Sequence, residues 1–315
     1  MKEIGGYLEL DKFLNKPYHR DMIELNTGRN ALIYLVKVKK IKKVYLPYFL
    51  CNSVGNMLKK HSVEYEYYHI NKDFMPVFIK KLRHNEYLYM VNYYGQISNQ
   101  KIIESKEKHN LIIVDNTQAF FQKPIPKIDT IYSCRKFFGV PDGAYLSTDT
   151  ILKKELEVDK SMNRMKHILG RFEGQASEYF KDFQENDESL EKLLLRKMSY
   201  LTKNILGAID YDKVMESRND NFNYLYDRLN SSNILNIKKT EGAFAYPYYN
   251  KNGLELRKKL IEQKIYVPIL WPNVLRDNDE KSIEYDYSAN ILPLPCDQRY
   301  GKNDMDYLVK SIEMI

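Results

Sequence analysis

Between residues 30 and 114 the chain switches repeatedly between a helical and a strand-like hydrophobic period, and nothing else in it narrows the fold as far. Asn30–Val38 places Ala31, Leu32, Leu35 and Val38 at helical spacing. Lys43–Pro47 (KVYLP) is a short β-rich run that stops at proline, and Ser53–Lys60 reads as a second helix. Val63–Ile70 (VEYEYYHI) alternates and is rich in β-formers. Tyr87–Tyr93 and Leu111–Val114 read as two buried strands, joined by a helix over Lys101–Lys108. Strands separated by helices in this rhythm predict an α/β fold, a mostly parallel sheet with helices on its faces.

From about Leu190 the texture changes to long charged amphipathic stretches, Leu190–Leu206 and Tyr211–Leu229. A strand-like Ala243–Tyr249, a helix over Leu254–Gln263, a short Tyr266–Pro268 and a closing helix over Asn303–Ile315 follow, the last capped by Asn303 or Asp304. The expected division is a large domain over residues 1–200 and a small α/β domain over 201–315, with segment 1–20 packing on the small one. Residues 150–190, charged and without clear apolar periodicity, are expected as helices or loops around a site entrance.

A formal charge of +7 is spread over interleaved lysines and acids, with no helix-turn-helix and no aromatic-basic platform, so the chain does not read as a nucleic-acid binder. It suits anionic small substrates. Cys51, Cys134 and Cys296 are too widely spaced for a disulfide framework or a zinc site, which fits a reducing cytoplasm. His69 and His84 lack metal-like spacing. No apolar run of signal-peptide or membrane-spanning length occurs, and the expected location is cytoplasmic.

Three segments carry candidate chemistry. Thr27-Gly28-Arg29-Asn30 opens a helix: its backbone N–H groups can receive an anion, or simply start the helix. Asp115 ends the LIIV strand, where ligands of open parallel sheets bind; its carboxylate can face a protonated ring nitrogen or cap a turn. Lys136 follows the strand-like Asp129–Ser133 and precedes a turn with glycine and proline. With Phe137 and Phe138 excluding water it can be a nucleophilic amine; otherwise it is a surface lysine.

Taken together these segments resemble the DegT/DnrJ/EryC1/StrS family of pyridoxal-phosphate (PLP) aminotransferases, with the chain as a short, divergent member. TGRNAL resembles the family's phosphate-binding turn, VNYYGQ its strand ending in Tyr-Gly, VDNTQAF its E-D-x-A-Q-A segment, and SCRKFFGVPDGAYL its lysine segment with a following acid and glycine. LPLP with NDMDYLVKSI resembles its closing strand and helix. The resemblance implies the aspartate-aminotransferase fold type with PLP as cofactor. Lys136 would link to the cofactor and Asp115 would lie under the ring nitrogen. Gly28, Arg29, Asn30 and Ser133 would hold the phosphate, and Gln118 would flank the ring.

The family's ring-stacking aromatic falls on Cys51, so Phe49, Tyr48 or Tyr94 is expected in its place, and Trp271 is expected in packing. LRKMS at 195–199 stands where the family has N-Y-R-M-S, without the asparagine that reaches the partner subunit's phosphate. Relatives that dehydrate sugars carry histidine at the lysine position, and this chain has Lys136. The implied activity moves an amino group, with L-glutamate the expected donor, onto a keto-sugar nucleotide in amino-sugar or polysaccharide biosynthesis. The implied assembly is a homodimer. The alternative is a non-catalytic descendant that binds PLP or a sugar nucleotide.

Overall fold

The computed structural model describes residues 4–13 and 15–315. Its large sheet has eight strands: β1 (Ile23–Leu25), β2 (Lys43–Pro47), β3 (Glu64–Ile70), β4 (Pro76–Val77), β5 (Glu86–Val91), β6 (Ile112–Asp115), β7 (Asp129–Ser133) and β8 (Ala144–Ser147). They lie in the order β1-β8-β7-β6-β5-β2-β3-β4. The central run from β7 through β6, β5 and β2 to β3 is parallel, whereas β8, β1 and β4 pair antiparallel at the margins. Leu46, Leu88, Ile113 and Ile131 are fully buried, as strands covered on both faces require.

Three helices follow the first strands: α1 (Gly28–Lys39), α2 (Asn52–Lys60) and α3 (Asn99–His109). Thr27 caps α1, its hydroxyl accepting from Asn30 N–H, and Ser98 caps α3 in the same way. These two hydroxyls explain why both helices begin earlier than apolar spacing alone locates them.

Beyond the sheet come α4 (Lys166–Glu173), α5 (Phe180–Leu190), α6 (Tyr200–Leu206) and α7 (Tyr211–Leu229). The stretch 190–206 is not one helix. α5 ends at Leu190, and Ser199 starts α6 afresh by capping Thr202 N–H. Strand β9 (Tyr246–Tyr249) pairs antiparallel with β10 (Ile291–Leu294). Around this ribbon pack α8 (Gly253–Glu262), α9 (Pro272–Asp277), α10 (Ile283–Asn290) and α11 (Lys302–Glu313). Tyr266–Pro268 is not a strand. At α11 the cap is Gly301, and Asp304 sits three residues on, its carboxylate accepting from Gly301 N–H at 2.9 Å.

Of the segment 1–20, residues 1–3 and 14 lie outside the described residues. Its remainder hydrogen-bonds to Asn204 and Gly207 at α6, and Tyr18 and His19 reach the carbonyls of Phe121 and Phe120. Those phenylalanines belong to a second aromatic cluster with Tyr132, Phe137, Phe138, Tyr145 and Tyr211.

Candidate active site

The carboxyl ends of β6 and β7 deliver Asp115 and Ser133 to one cavity of about 520 Å³. Its floor also carries Gly28 and Arg29 at the start of α1, Tyr89 from β5, and Gln118 and Lys136 from the turns after β6 and β7. Cys51, Asn52 and Ser53 at the start of α2 form one wall, and Trp271, Asn273 and Arg276 approach from the other side. Two helix N-termini therefore face the same space, each with unpaired backbone N–H groups.

Asp115 is buried, and both its oxygens are engaged. Oδ1 accepts from Thr117 N–H and Oδ2 from the Tyr89 hydroxyl, each at 2.8 Å. Burial pushes its pKa up, while the Thr117 and Tyr89 hydrogen bonds and the charge of Lys136 oppose that rise. A cationic N–H partner in the cavity would offset the same burial cost.

Lys136 lines the cavity, and its side chain is exposed there. Its Nζ makes no hydrogen bond or ion pair among the described residues, and stands 5.5 Å from the centre of the Phe244 ring. Desolvation lowers its pKa, Arg135 lowers it further, and Cys51, Asp115 and Asp187 oppose. A lowered pKa raises the neutral fraction, which is the form that attacks a carbonyl.

The turn bearing Lys136 is fixed from both sides. Phe137 and Phe138 N–H groups bond back to the Cys134 carbonyl, and Cys134 N–H bonds to Gly143. The Phe137 carbonyl accepts from Arg218 Nη2 at 3.2 Å and from Gln298 Nε2 at 2.8 Å. Arg218, on α7, is fully buried and spends its other nitrogens on the Ala243 carbonyl and Gln298. Phe137 and Phe138 pack under the turn in the aromatic cluster, so they support Lys136 from beneath and do not line the cavity.

Gln118 and Ser133 line the cavity as expected positions. Gln118 Oε1 accepts from Tyr94 N–H at 2.8 Å, leaving its amide nitrogen without a partner among the described residues. Gly28 has open room: an added Cβ would meet only Ile131 and Thr117, both at 3.6 Å.

Four expected residues stand elsewhere. The Asn30 N–H is taken by the Thr27 hydroxyl, and its side chain bonds to Asn26 and to the carbonyls of Leu193 and Leu194, so it fastens a loop and does not line the cavity. Phe49 is fully buried beneath the wall, edge-on to Trp271 at 4.8 Å. Tyr94, with φ of 54°, is buried with its ring against Phe74, outside the cavity. Tyr48 likewise lies apart, stacked on Tyr67.

Trp271 packs against Phe49 and Tyr93 as expected, but it also borders the cavity, and it holds φ of 61° just before Pro272. A bulky residue in that region is strained, and such strain concentrates at functional walls. Arg135, Asp187 and Asn273 also border the cavity and were missed; an arginine beside the lysine was the one sequence signal available for them. Of the expected acid and glycine after Lys136, Gly143 borders the cavity and Asp142 braces the turn beneath it. Asp142 accepts from Ser199 N–H and from the hydroxyls of Ser199 and Thr202, and at Gly143, with φ of 114°, an added Cβ would come within 3.0 Å of Thr202.

The fold with this cavity is that of the PLP-dependent aminotransferase structures it superposes on. An aminotransferase of the DegT DnrJ EryC1 StrS group from Brucella abortus matches with a TM-score of 0.63 at 14% identity, over 93% of this chain and 85% of that one. NtdA from Bacillus subtilis, solved with bound PMP, matches at 0.66 and 14%, over 96% and 78%. The GDP-4-keto-6-deoxy-D-mannose-3-dehydratase of E. coli, with bound hydrated PLP, matches at 0.60 and 14%, over 92% and 87%. No protein-family model matches the sequence, and no curated protein does either. Among the described residues no helix is long and apolar enough to cross a membrane, and no cluster of three or more metal-ligating side chains occurs.

Proposed function

We propose that the chain is a PLP-dependent aminotransferase that takes an amino group from an amino acid, L-glutamate foremost, and gives it to a keto-sugar nucleotide. The observation that carries this is the convergence of an unpaired Lys136 and a buried Asp115 on one cavity at the carboxyl ends of neighbouring parallel strands. The free hydroxyl of Ser133 and the N–H groups opening α1 at Gly28 and Arg29 suit the phosphate, and the spare amide nitrogen of Gln118 suits the ring.

When bound, PLP supplies an electron sink that stabilises negative charge on the donor carbon. Lys136 would hold the cofactor covalently and, once released, carry a proton between the donor carbon and the cofactor. Asp115 would keep the ring nitrogen protonated, its own orientation fixed by Thr117 and Tyr89. The walls formed by Trp271 and the start of α2 would limit water. In this reading residues 1–200 carry the cofactor contacts, and 201–315 close the cavity through Trp271 and Asn273. The protein works as a cytoplasmic homodimer.

An absorbance spectrum with added PLP, taken before and after L-glutamate, tests this. The expected result is a visible band that glutamate shifts, and its loss in Lys136→Ala. A Lys136→Ala protein that still transfers the amino group would remove Lys136 from the role. Cys51 at the ring-stacking place favours one other reading, a protein that binds the cofactor without turning over; a band that no amino acid shifts would support it.

A further inference from the structure

Arg135 precedes Lys136 and borders the same cavity. Its side chain is 20% exposed, and its one contact is a single bond from Nη2 to Asp187 at 3.3 Å. A guanidinium carries five N–H donors, so most of this one is uncommitted. The arginines that brace the fold behave differently. Arg218 spends three nitrogens on Phe137, Ala243 and Gln298, and Arg257 spends two on the carbonyls of Ala289 and Ile291. Arg135 bonds no carbonyl at all among the described residues.

Its partner is replaceable. Asp187 sits on α5 with a side chain 58% exposed, and an exposed single-contact ion pair contributes little stability. Arg29 repeats the pattern across the cavity floor, facing Glu191 at 3.6 Å with that carboxylate 51% exposed. Two cavity arginines are thus matched loosely by two solvated acids at the end of one helix.

We propose that Arg135 binds the carboxylate of the amino donor and that Asp187 is the counter-ion it releases to do so; this rests on the aminotransferase reading above. An amino acid carries its amine and carboxylate on one carbon. A donor whose nitrogen is handled at Lys136 therefore presents its carboxylate to the adjoining wall. A planar guanidinium with free donors matches a carboxylate in two parallel bonds, which a single contact to Asp187 does not achieve. A keto-sugar acceptor brings no carboxylate to that wall, so Asp187 returns to Arg135. One cavity then serves two chemically unlike substrates by exchanging a partner on one side chain.

The test uses the full-length PLP-loaded protein and glutarate, a dicarboxylate without an amine, titrated by calorimetry. Arg135→Gln should weaken glutarate binding roughly tenfold or more while PLP affinity stays within about twofold. Asp187→Asn should tighten glutarate, because the competing carboxylate is gone; a residue that merely supports the fold would not give that gain. In turnover, Arg135→Gln should raise KM for glutamate far more than it lowers kcat. Unchanged glutarate affinity in Arg135→Gln overturns the assignment, as does selective loss of PLP, which would place Arg135 on the phosphate. Wild-type protein that takes up PLP but binds no glutarate overturns it too, leaving the aminotransferase reading standing. Protein that takes up no PLP overturns both.

Discussion

His19 is a base that folding keeps neutral. It is buried against Tyr132 and Phe120, donates from Nε2 to the Phe120 carbonyl at 2.7 Å, and leaves Nδ1 without a partner. Burial pushes its pKa down to about 3, the Phe120 hydrogen bond opposing. The unfolded chain takes up this proton below about 6.5 and the folded chain does not until about 3. Between those values the unfolded state binds more protons, so stability present above pH 6.5 is lost as the pH falls, by up to roughly 1.4 kcal/mol per unit. Denaturant unfolding at several pH values should show that slope in the wild type and a flatter one in His19→Gln; parallel slopes would sink the assignment. At this scale the positions that reach the cavity were legible where a strand end fixed them, as with Asp115 and Ser133. Asn30, Phe49 and Tyr94 were not, because a neighbour in sequence to a site residue need not share its direction. Asn30 turns toward Leu194, and Phe49 and Tyr94 turn into the core.

Asp142 joins two elements that sequence leaves unrelated. From the turn after Lys136 it receives three donors from Ser199 and Thr202, tying that turn to the first residues of α6. Asp142→Ala would leave those donors buried and unpaired, at a cost of about 3 kcal/mol, measurable as a lower denaturant midpoint. A change under about 1 kcal/mol would mean that the tether is replaceable. The parallel strands were readable because β-rich runs between turn residues announce themselves, and Lys43–Pro47 and Asp129–Ser133 match their strands end to end. β1 and β8 carry no such signal. They are three and four residues long and exist through pairing with each other and with β7. The stretch 190–206 keeps a helical look in its spacing, yet a partner that fixes its break at Ser199, Asp142, lies 57 residues away.

At the scale of the whole molecule, the α4–α5 hairpin beside the cavity presents an exposed apolar group, with Leu169, Phe172, Phe180 and Phe183 55%, 90%, 56% and 45% exposed. It supports the proposed homodimer. Sedimentation should give a dimer for the wild type and a shift toward monomer for Phe172→Ser with Phe180→Ser; a monomeric wild type would rule it out. The shared carbonyl of Phe137 carries a different consequence. Its two donors, Arg218 and Gln298, come 81 and 161 residues later in the chain. A ribosome would therefore release the whole eight-stranded sheet, with Lys136 already made, well before the groups that fix that lysine's turn exist. Cofactor capture then becomes a property of a chain made at least through Gln298, and one ending before Arg218 lacks both donors that hold the lysine's turn.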